Sequence, residues 1–279
     1  MDSTLTYSDL DWDILWHNAR AQKSWSSKGA EEWDKRAASF ASRNHSSAFV
    51  SLVLARLPLD NSLTVLDIGA GPGTLTLPIA QKVKSVTALD YSSGMLASLK
   101  EQAAQARLDN IRTVHGSWED DWSLFGIKQH DITIASRSLG VAGLKAALHK
   151  LDHYASRSVF IIDRISPTPF DPEAFDALGR PFNPGPDYIY ALNILYSMGI
   201  HPHVDILKLE TANRFASLDE AFRSYSWMFK DLSAREEVLL HRYLEGRSQV
   251  YGDGYISIQR AVPPQWAFIS WEKPGNEIR

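Results

Sequence analysis

The stretch from Leu63 to Ala80, LTVLDIGAGPGTLTLPIA, decides how the rest of the chain reads. Val65, Leu66 and Ile68 make a short apolar run, the mark of a strand buried on both faces. Asp67 sits inside it, and Gly69, Gly71 and Gly73 follow. Leu75, Leu77, Pro78 and Ile79 then begin a helical pattern. A strand, a glycine-rich turn and a helix N-terminus together suit a nucleotide-like ligand. Glycine takes dihedrals that other residues avoid, and the first turn of a helix has unpaired N–H groups. A dinucleotide-binding turn spaces its glycines G-x-G-x-x-G. Here the spacing is G-x-G-x-G, with an acid two residues before the first glycine. A carboxylate at Asp67 repels a pyrophosphate but accepts, directly or through water, from an ammonium group. That points to a cofactor with an amino-acid end. The plainer alternative is a turn that only joins strand to helix.

Composition bounds the rest. The chain has 279 residues, enough for one large domain or a domain with an appendage. It is 44% hydrophobic and 22% charged, ordinary for a globular protein. A net charge of −4 leaves no basic footprint for nucleic acid. The absence of cysteine excludes disulfides, thiolate metal sites and a cysteine nucleophile, and fits a cytoplasmic protein. No apolar run reaches membrane-spanning length, and the acidic start MDSTLTYSDLDWD does not read as a secretory signal. Several of the nine tryptophans lie outside the presumed ligand-binding core, which suits an aromatic-lined cavity or a well-filled interior.

Lys84–Asp90, KSVTALD, reads as a second strand one βαβ step further on. A carboxylate at its tip, Asp90, can accept two hydrogen bonds from a ribose diol; capping the next helix is its plainer role. The run continues Asp90-Tyr91-Ser92-Ser93-Gly94-Met95-Leu96. With the complete (D/E)-x-G-x-G-x-G match at Asp67-Ile68-Gly69-Ala70-Gly71-Pro72-Gly73, this DxSxxML-like run resembles the class I S-adenosylmethionine (SAM)-dependent methyltransferases. The resemblance covers about residues 30–164 well and the C-terminal third in outline. It implies an α/β, Rossmann-like fold: a seven-stranded sheet in order 3-2-1-4-5-7-6, last strand antiparallel, with helices on both faces. N-terminal helices and a helical insertion after the fifth strand complete it. One domain would then span 1–279: a helical cover at 1–60, the SAM-binding core at 61–164, a substrate-lid insertion and helices at 165–255, and a final strand region at 256–279.

The other elements are read from pattern. Helices are expected at Leu10–Arg20, Ala30–Arg43 (with Trp33, Ala37 and Phe40 on one face), and Ser46–Leu57, capped by Ser46 or Ser47. Further helices are expected at Leu96–Ala106, Gly143–His153, Tyr188–Met198, Leu218–Phe229 and Ser233–Leu244, the last capped by Gly246. Strands are expected at Asn110–His115, Asp131–Ser136, Ser158–Asp163, His203–Leu209 and Gln265–Trp271, and an irregular proline-rich stretch at 166–186.

For the cofactor, the resemblance assigns the turn residues Asp67, Gly69, Ala70, Gly71, Gly73 and Thr74 to the methionine end and Asp90 to the ribose. Tyr91 would lie against adenine or ribose, with Met95 apolar beside it. The family often has an acid directly after the glycine that closes the third strand. Ser117 stands there, so three routes to the adenine stay open: Ser117 accepts its amino group, Trp118 covers the ring, or Glu119 reaches back. Ser136 and Arg137 leave the fourth strand where ligands meet such sheets. Arg137 is either an anchor for a carboxylate of substrate or cofactor, or a surface arginine.

Substrate candidates are Trp16 and His17, clustered with Arg20, and Tyr188, Asn193 and Tyr196 along one helix. His201 and His203 flank Pro202 without a third ligand at fixed spacing, so no metal is assigned. No catalytic residue is assigned; a base, if the acceptor loses a proton, would come from His17, His45, His201 or His203. No Asn-Pro-Pro-Tyr type motif follows the fourth strand, which reads Ser136-Arg137-Ser138-Leu139. The expectation is methyl transfer to an oxygen or nitrogen of a small molecule, with no nucleic-acid or membrane partner. The alternatives are a non-catalytic SAM-binding protein and, further off, an NAD-dependent oxidoreductase.

Overall fold

The computed structural model describes residues 5–25, 29–34, 48–209 and 214–274. Ala37, Phe40, His45, Ser46 and Ser47, named above, lie outside the described residues. A seven-stranded sheet organises the chain, in the order β3-β2-β1-β4-β5-β10-β6. Its strands are β1 (Thr64–Ile68), β2 (Ser85–Asp90), β3 (Ile111–His115), β4 (His130–Ser136), β5 (Ala155–Arg164), β6 (His203–Lys208) and β10 (Gln265–Glu272). β10 runs antiparallel between β5 and β6, and the other pairs around β1 are parallel. The expected order is thus observed, with β10 as the seventh strand of this sheet.

Period-two alternation sends side chains to two cores. On one face Leu66, Ile68, Val159, Ile161, Ala267 and Ile269 pack beneath α1 (Trp12–Ala21), α6 (Leu144–Tyr154) and α8 (Tyr188–Ser197). On the other, Val65, Ile134, Phe160, Ile162 and Phe268 meet α3 (Ala48–Leu54) and α4 (Thr76–Ala80). α5 (Ser93–Gln105) lies on this second face against β2 and β3. Ser92, not Asp90, is its N-cap, accepting the Met95 N–H at 3.1 Å. α2 (Ala30–Asp34) docks on α5.

The expected lid at 165–255 divides. α8 is a layer of the sheet sandwich, burying Ala191, Ile194 and Leu195 in the first core. The remainder builds a third core from Phe170, Phe175, Phe215, Tyr225, Phe229, Leu240 and Ile258. It comprises α7 (Pro172–Ala177), α9 (Leu218–Ser226), α10 (Ala234–Arg247) and a small sheet ordered β7-β9-β8, of β7 (Arg214–Phe215), β8 (Ser248–Val250) and β9 (Ile256–Ile258). A boundary at 256 therefore cuts β9 from β8, its antiparallel partner. Gly246 lies inside α10, and Ser248 takes the cap. Asp171 pins this unit: it is buried, accepts the Tyr243 and Tyr225 hydroxyls at 2.9 and 3.3 Å, and lies 3.6 Å from Arg260 Nε.

Candidate cofactor and acceptor site

The glycine turn leaves β1 at the carboxyl edge of the sheet. Gly69, Gly71 and Gly73 all have positive φ, at 72, 57 and 95°. At Gly69 a Cβ would lie 2.3 Å from Ser138 Cβ, and the Ser138 hydroxyl donates to Ile68 O at 2.7 Å. The exit loops of β1 and β4 are thus pressed together, which only glycine permits. Gly71 differs: nothing lies within 4 Å of where its Cβ would be. Its N–H donates to Asp90 Oδ2 at 2.8 Å, while Ser92 N–H donates to Oδ1 at 2.8 Å. One carboxylate therefore ties the turn to the tip of β2. Asp90 is only 6% exposed, and burial pushes its carboxyl up from the usual range. Each oxygen keeps a further acceptor site.

Asp67 points the other way. It shares the Val65 face, is 2% exposed and accepts the Thr76 hydroxyl at 2.6 Å. Burial, with a smaller push from Asp90, raises it to about 7. Its carboxyl thus ties the end of β1 to the first residue of α4. Ala70 is buried, and its N–H donates to Leu89 O at 3.1 Å. Two hydroxyls at this edge, Thr74 Oγ1 and Ser136 Oγ, are buried without a hydrogen-bond partner among the described residues. Unpaired buried hydroxyls are costly and suit a polar ligand.

The β3 exit forms the next wall. Asp120 holds the Ser117 N–H at 2.7 Å, and the Ser117 hydroxyl accepts from Glu119 N–H at 3.3 Å. The Trp118 indole donates to Ser138 O at 3.0 Å, bridging the β3 and β4 exits. Its ring lies 5.6 Å from that of fully buried Trp122. Glu119 is exposed. Met95 is buried and Tyr91 partly exposed. Trp33 hydrogen-bonds the Tyr91 side chain, and Asp34 accepts the Ser92 hydroxyl and Gly94 N–H at 2.5 and 2.8 Å. Asp34 and Ser138 carry no sequence signal; only contacts distant along the chain reveal them.

Arg137 leaves β4 with its guanidinium near two aromatic rings. Its φ of 57° reverses the strand alternation, and its guanidinium lies 4.6 Å from the Phe49 ring centroid and 5.6 Å from that of Trp266. Trp16 is buried in the first core, and its indole donates to Val141 O at 3.0 Å. His17 faces solvent. Along α8, Tyr188 packs partly on the first core and the Asn193 amide donates to Ile189 O at 2.8 Å. Tyr196 is 55% exposed and edge-on to Tyr7. Asn193 and Tyr196 both meet Tyr7, whose hydroxyl donates to Asn193 O at 3.1 Å. His201 and His203 line a groove of about 720 Å³ at the opposite edge of the sheet from the glycine turn.

At the β5 exit, sequence reasoning missed Lys23 and Trp25. Lys23 Nζ lies 4.0 Å from the Trp25 ring centroid and Arg164 Cζ 5.2 Å from it. The Trp25 indole donates to Pro184 O at 2.9 Å, and Ser24 N–H to Asn183 O at 2.9 Å. Arg164 donates to Pro186 O through Nη2, while its buried Nη1 meets no acceptor among the described residues. Burial, then Arg20 and Arg164, lower the Lys23 ammonium to about 8.

This sheet order and glycine turn define a Rossmann-like fold with a ligand edge at the tips of β1, β2 and β4. Residues 65–153 match the family model described as a methyltransferase domain. An uncharacterised protein of Haemophilus influenzae is 32% identical over 86% of this chain and 88% of its own. Among solved structures, a putative methyltransferase of Bacillus halodurans superposes with TM-score 0.56 at 14% identity, over 82% of this chain and all of that one. A coclaurine N-methyltransferase bound to N-methylheliamine and S-adenosylhomocysteine (SAH) superposes with TM-score 0.50 at 14% identity, over 96% and 89%. The methyltransferase-domain match over residues 65–153 and the shared fold set this region with the class I SAM-dependent methyltransferases, and SAM is the cofactor of that family.

Proposed function

We propose that the protein methylates an oxygen or nitrogen of a small molecule. The observation that carries this is the edge built by Gly71, Asp90 and the unpartnered hydroxyls of Thr74 and Ser136. These groups fit SAM: a diol meets the free acceptor sites of Asp90, and the polar amino-acid end meets the turn and the two hydroxyls. Bound SAM supplies a methyl group already activated on a sulfonium. The protein's task is then chiefly positional. Asp90 fixes the turn and the ribose together, and Asp67 with Thr76 ties the end of β1 to the start of α4. Tyr91, Met95 and the loop of Ser117, Trp118 and Glu119 border the base. A net charge of −4 favours a small acceptor over nucleic acid.

Calorimetric titration with SAM, SAH and NAD, followed by SAH release with candidate acceptors, tests this. Micromolar binding of the first two and none of NAD is expected. SAM binding without turnover on any acceptor would instead indicate a binding protein, and NAD binding would overturn the reading.

A further inference from the structure

Of the candidate histidine bases, His17 faces solvent, and His201 and His203 line the groove at the opposite edge of the sheet. A carboxylate stands closer to the cofactor edge. Ser136, whose hydroxyl is unpartnered, pairs in register with Ile162, and the Arg137 N–H donates to Ile162 O at 2.8 Å. The next residue of β5, Asp163, is therefore beside the exit of β4, one interstrand spacing of about 5 Å away. That is the carboxyl edge, where ligands of open α/β sheets bind. Asp163 comes two residues after Ile161, so it shares the face covered by α1 and α8.

The other carboxylates near this edge are engaged. Asp90 accepts the Gly71 and Ser92 N–H groups and Asp67 the Thr76 hydroxyl. Asp187 accepts Ile189 N–H at Oδ1 and Ser166 N–H at Oδ2, each at 3.2 Å. Asp163 accepts the Arg164 N–H at Oδ1, at 2.8 Å; its Oδ2 takes no hydrogen bond among the described residues, and the residue is part-exposed. Two charged groups act on it. Arg164 attracts from the same strand while its Nη2 donates to Pro186 O, and Asp187 repels from the N-terminus of α8. Lys23, after α1, shares the Trp25 ring with Arg164. Burial outweighs Arg164 and pushes the Asp163 carboxyl up to about 6. A base is most effective when it titrates near the working pH.

We propose that Asp163 is the catalytic base, its free Oδ2 taking the proton from the oxygen or nitrogen that is methylated. This rests on the methyltransferase reading above. In the step, a lone pair of the acceptor atom forms the bond to the methyl carbon. The carbon–sulfur bond breaks with its electron pair going to sulfur, which leaves SAH. The proton of the acceptor atom passes to Asp163 and from there to solvent. The substrate is therefore a molecule whose reacting atom still carries a proton, a hydroxyl or a protonated amine, and its fully methylated counterpart lacks the group that Asp163 holds.

The test has two arms. In the first, phenol against anisole and benzylamine against benzyltrimethylammonium are titrated calorimetrically into the SAH-saturated protein; each pair differs in the donor hydrogen. At least one donor should bind at least tenfold more tightly than its methylated counterpart, and the pair that discriminates identifies the acceptor atom. Asp163→Ala should bring that preference within twofold and leave the SAH dissociation constant within twofold. In the second arm, kcat for SAH release from phenol, benzylamine and each acceptor that the screen above returns is followed against pH. The wild-type rate should fall tenfold per unit below about pH 6. Asp163→Asn should lose at least a hundredfold together with that dependence, and Asp163→Glu should keep at least ten times the rate of Asn. A packing role would rank Asn above Glu. If Asp163→Ala fails to fold, Asn and Glu decide; if no compound turns over, the binding arm decides. No preference for either donor, an unchanged preference in the folded variants, or a wild-type rate and pH profile in Asp163→Asn would overturn the proposal. Failure of SAH to bind counts against the methyltransferase reading alone; the donor titrations are then read in the ligand-free protein.

Discussion

Replacing Asp90 with alanine tests the cofactor edge most directly. The carboxylate accepts the Gly71 and Ser92 N–H groups and has capacity left for a ribose diol. A hydrogen bond to a charged group contributes about 1.5–3 kcal/mol. Two from the diol, taken at the low end, total about 3 kcal/mol, which is about a hundredfold or more in the dissociation constant. The same change frees the two backbone donors and costs stability as well. Asp90→Asn therefore serves as a partner variant: it keeps the volume and one acceptor oxygen, and should fall between wild type and alanine. SAM and SAH affinities by calorimetry, with melting temperatures beside them, separate the two effects. A folded Asp90→Ala protein with an unchanged SAM dissociation constant would remove Asp90 from the site and refute the reasoning.

Asp67 gives a pH signature. Its folded-state pKa of about 7 lies above the ordinary 3.8, so the folded protein holds a proton that the unfolded chain releases. Stability from this group is complete below about pH 4 and falls as pH rises to about 7, by at most about 4 kcal/mol. Asp67→Asn should show no gain near pH 4 and a growing gain in melting temperature up to pH 7–8; a gain independent of pH would sink the argument. Gly69→Ala forces its Cβ against Ser138 at 2.3 Å and a φ of 72°, for a cost of about 2–4 kcal/mol. Adding Ser138→Gly should restore part of the denaturant midpoint, and no restoration would show the clash to be unimportant. Asp171→Ala strands Arg260 beside two tyrosine hydroxyls and should cost about 3–5 kcal/mol in urea unfolding; a loss under 1 kcal/mol would mean that the third core stands without it.

Legibility followed distance along the chain. Each strand near the glycine turn announced itself by an apolar run, and Asp90 by its place at a strand tip, because both are local signals. The placing of Arg137 near Phe49 and Trp266 was not legible, because its own left-handed backbone redirects its side chain. Strand periodicity cannot carry that information. The small sheet escaped because its strands are two or three residues long, too short for alternation to register. Trp25 escaped because its hydrogen-bond partner, Pro184, lies 159 residues away. Gly246 was taken as a stop although α10 runs on to Arg247, since its interior tolerates one glycine.

The early chain grips the molecule twice. Ser24 and Trp25 fasten to Asn183 and Pro184 beside Lys23 and Arg164, and Trp33 and Asp34 fasten to Tyr91, Ser92 and Gly94 beside the tip of β2. Chain length between the two grips is therefore a ruler. Lengthening it would leave each set of contacts intact while letting them slacken independently. Shortening it would force one grip to open whenever the other closes. A one-residue deletion between Trp25 and Asp34 should therefore weaken one of these two sets of contacts, read as a fall in melting temperature.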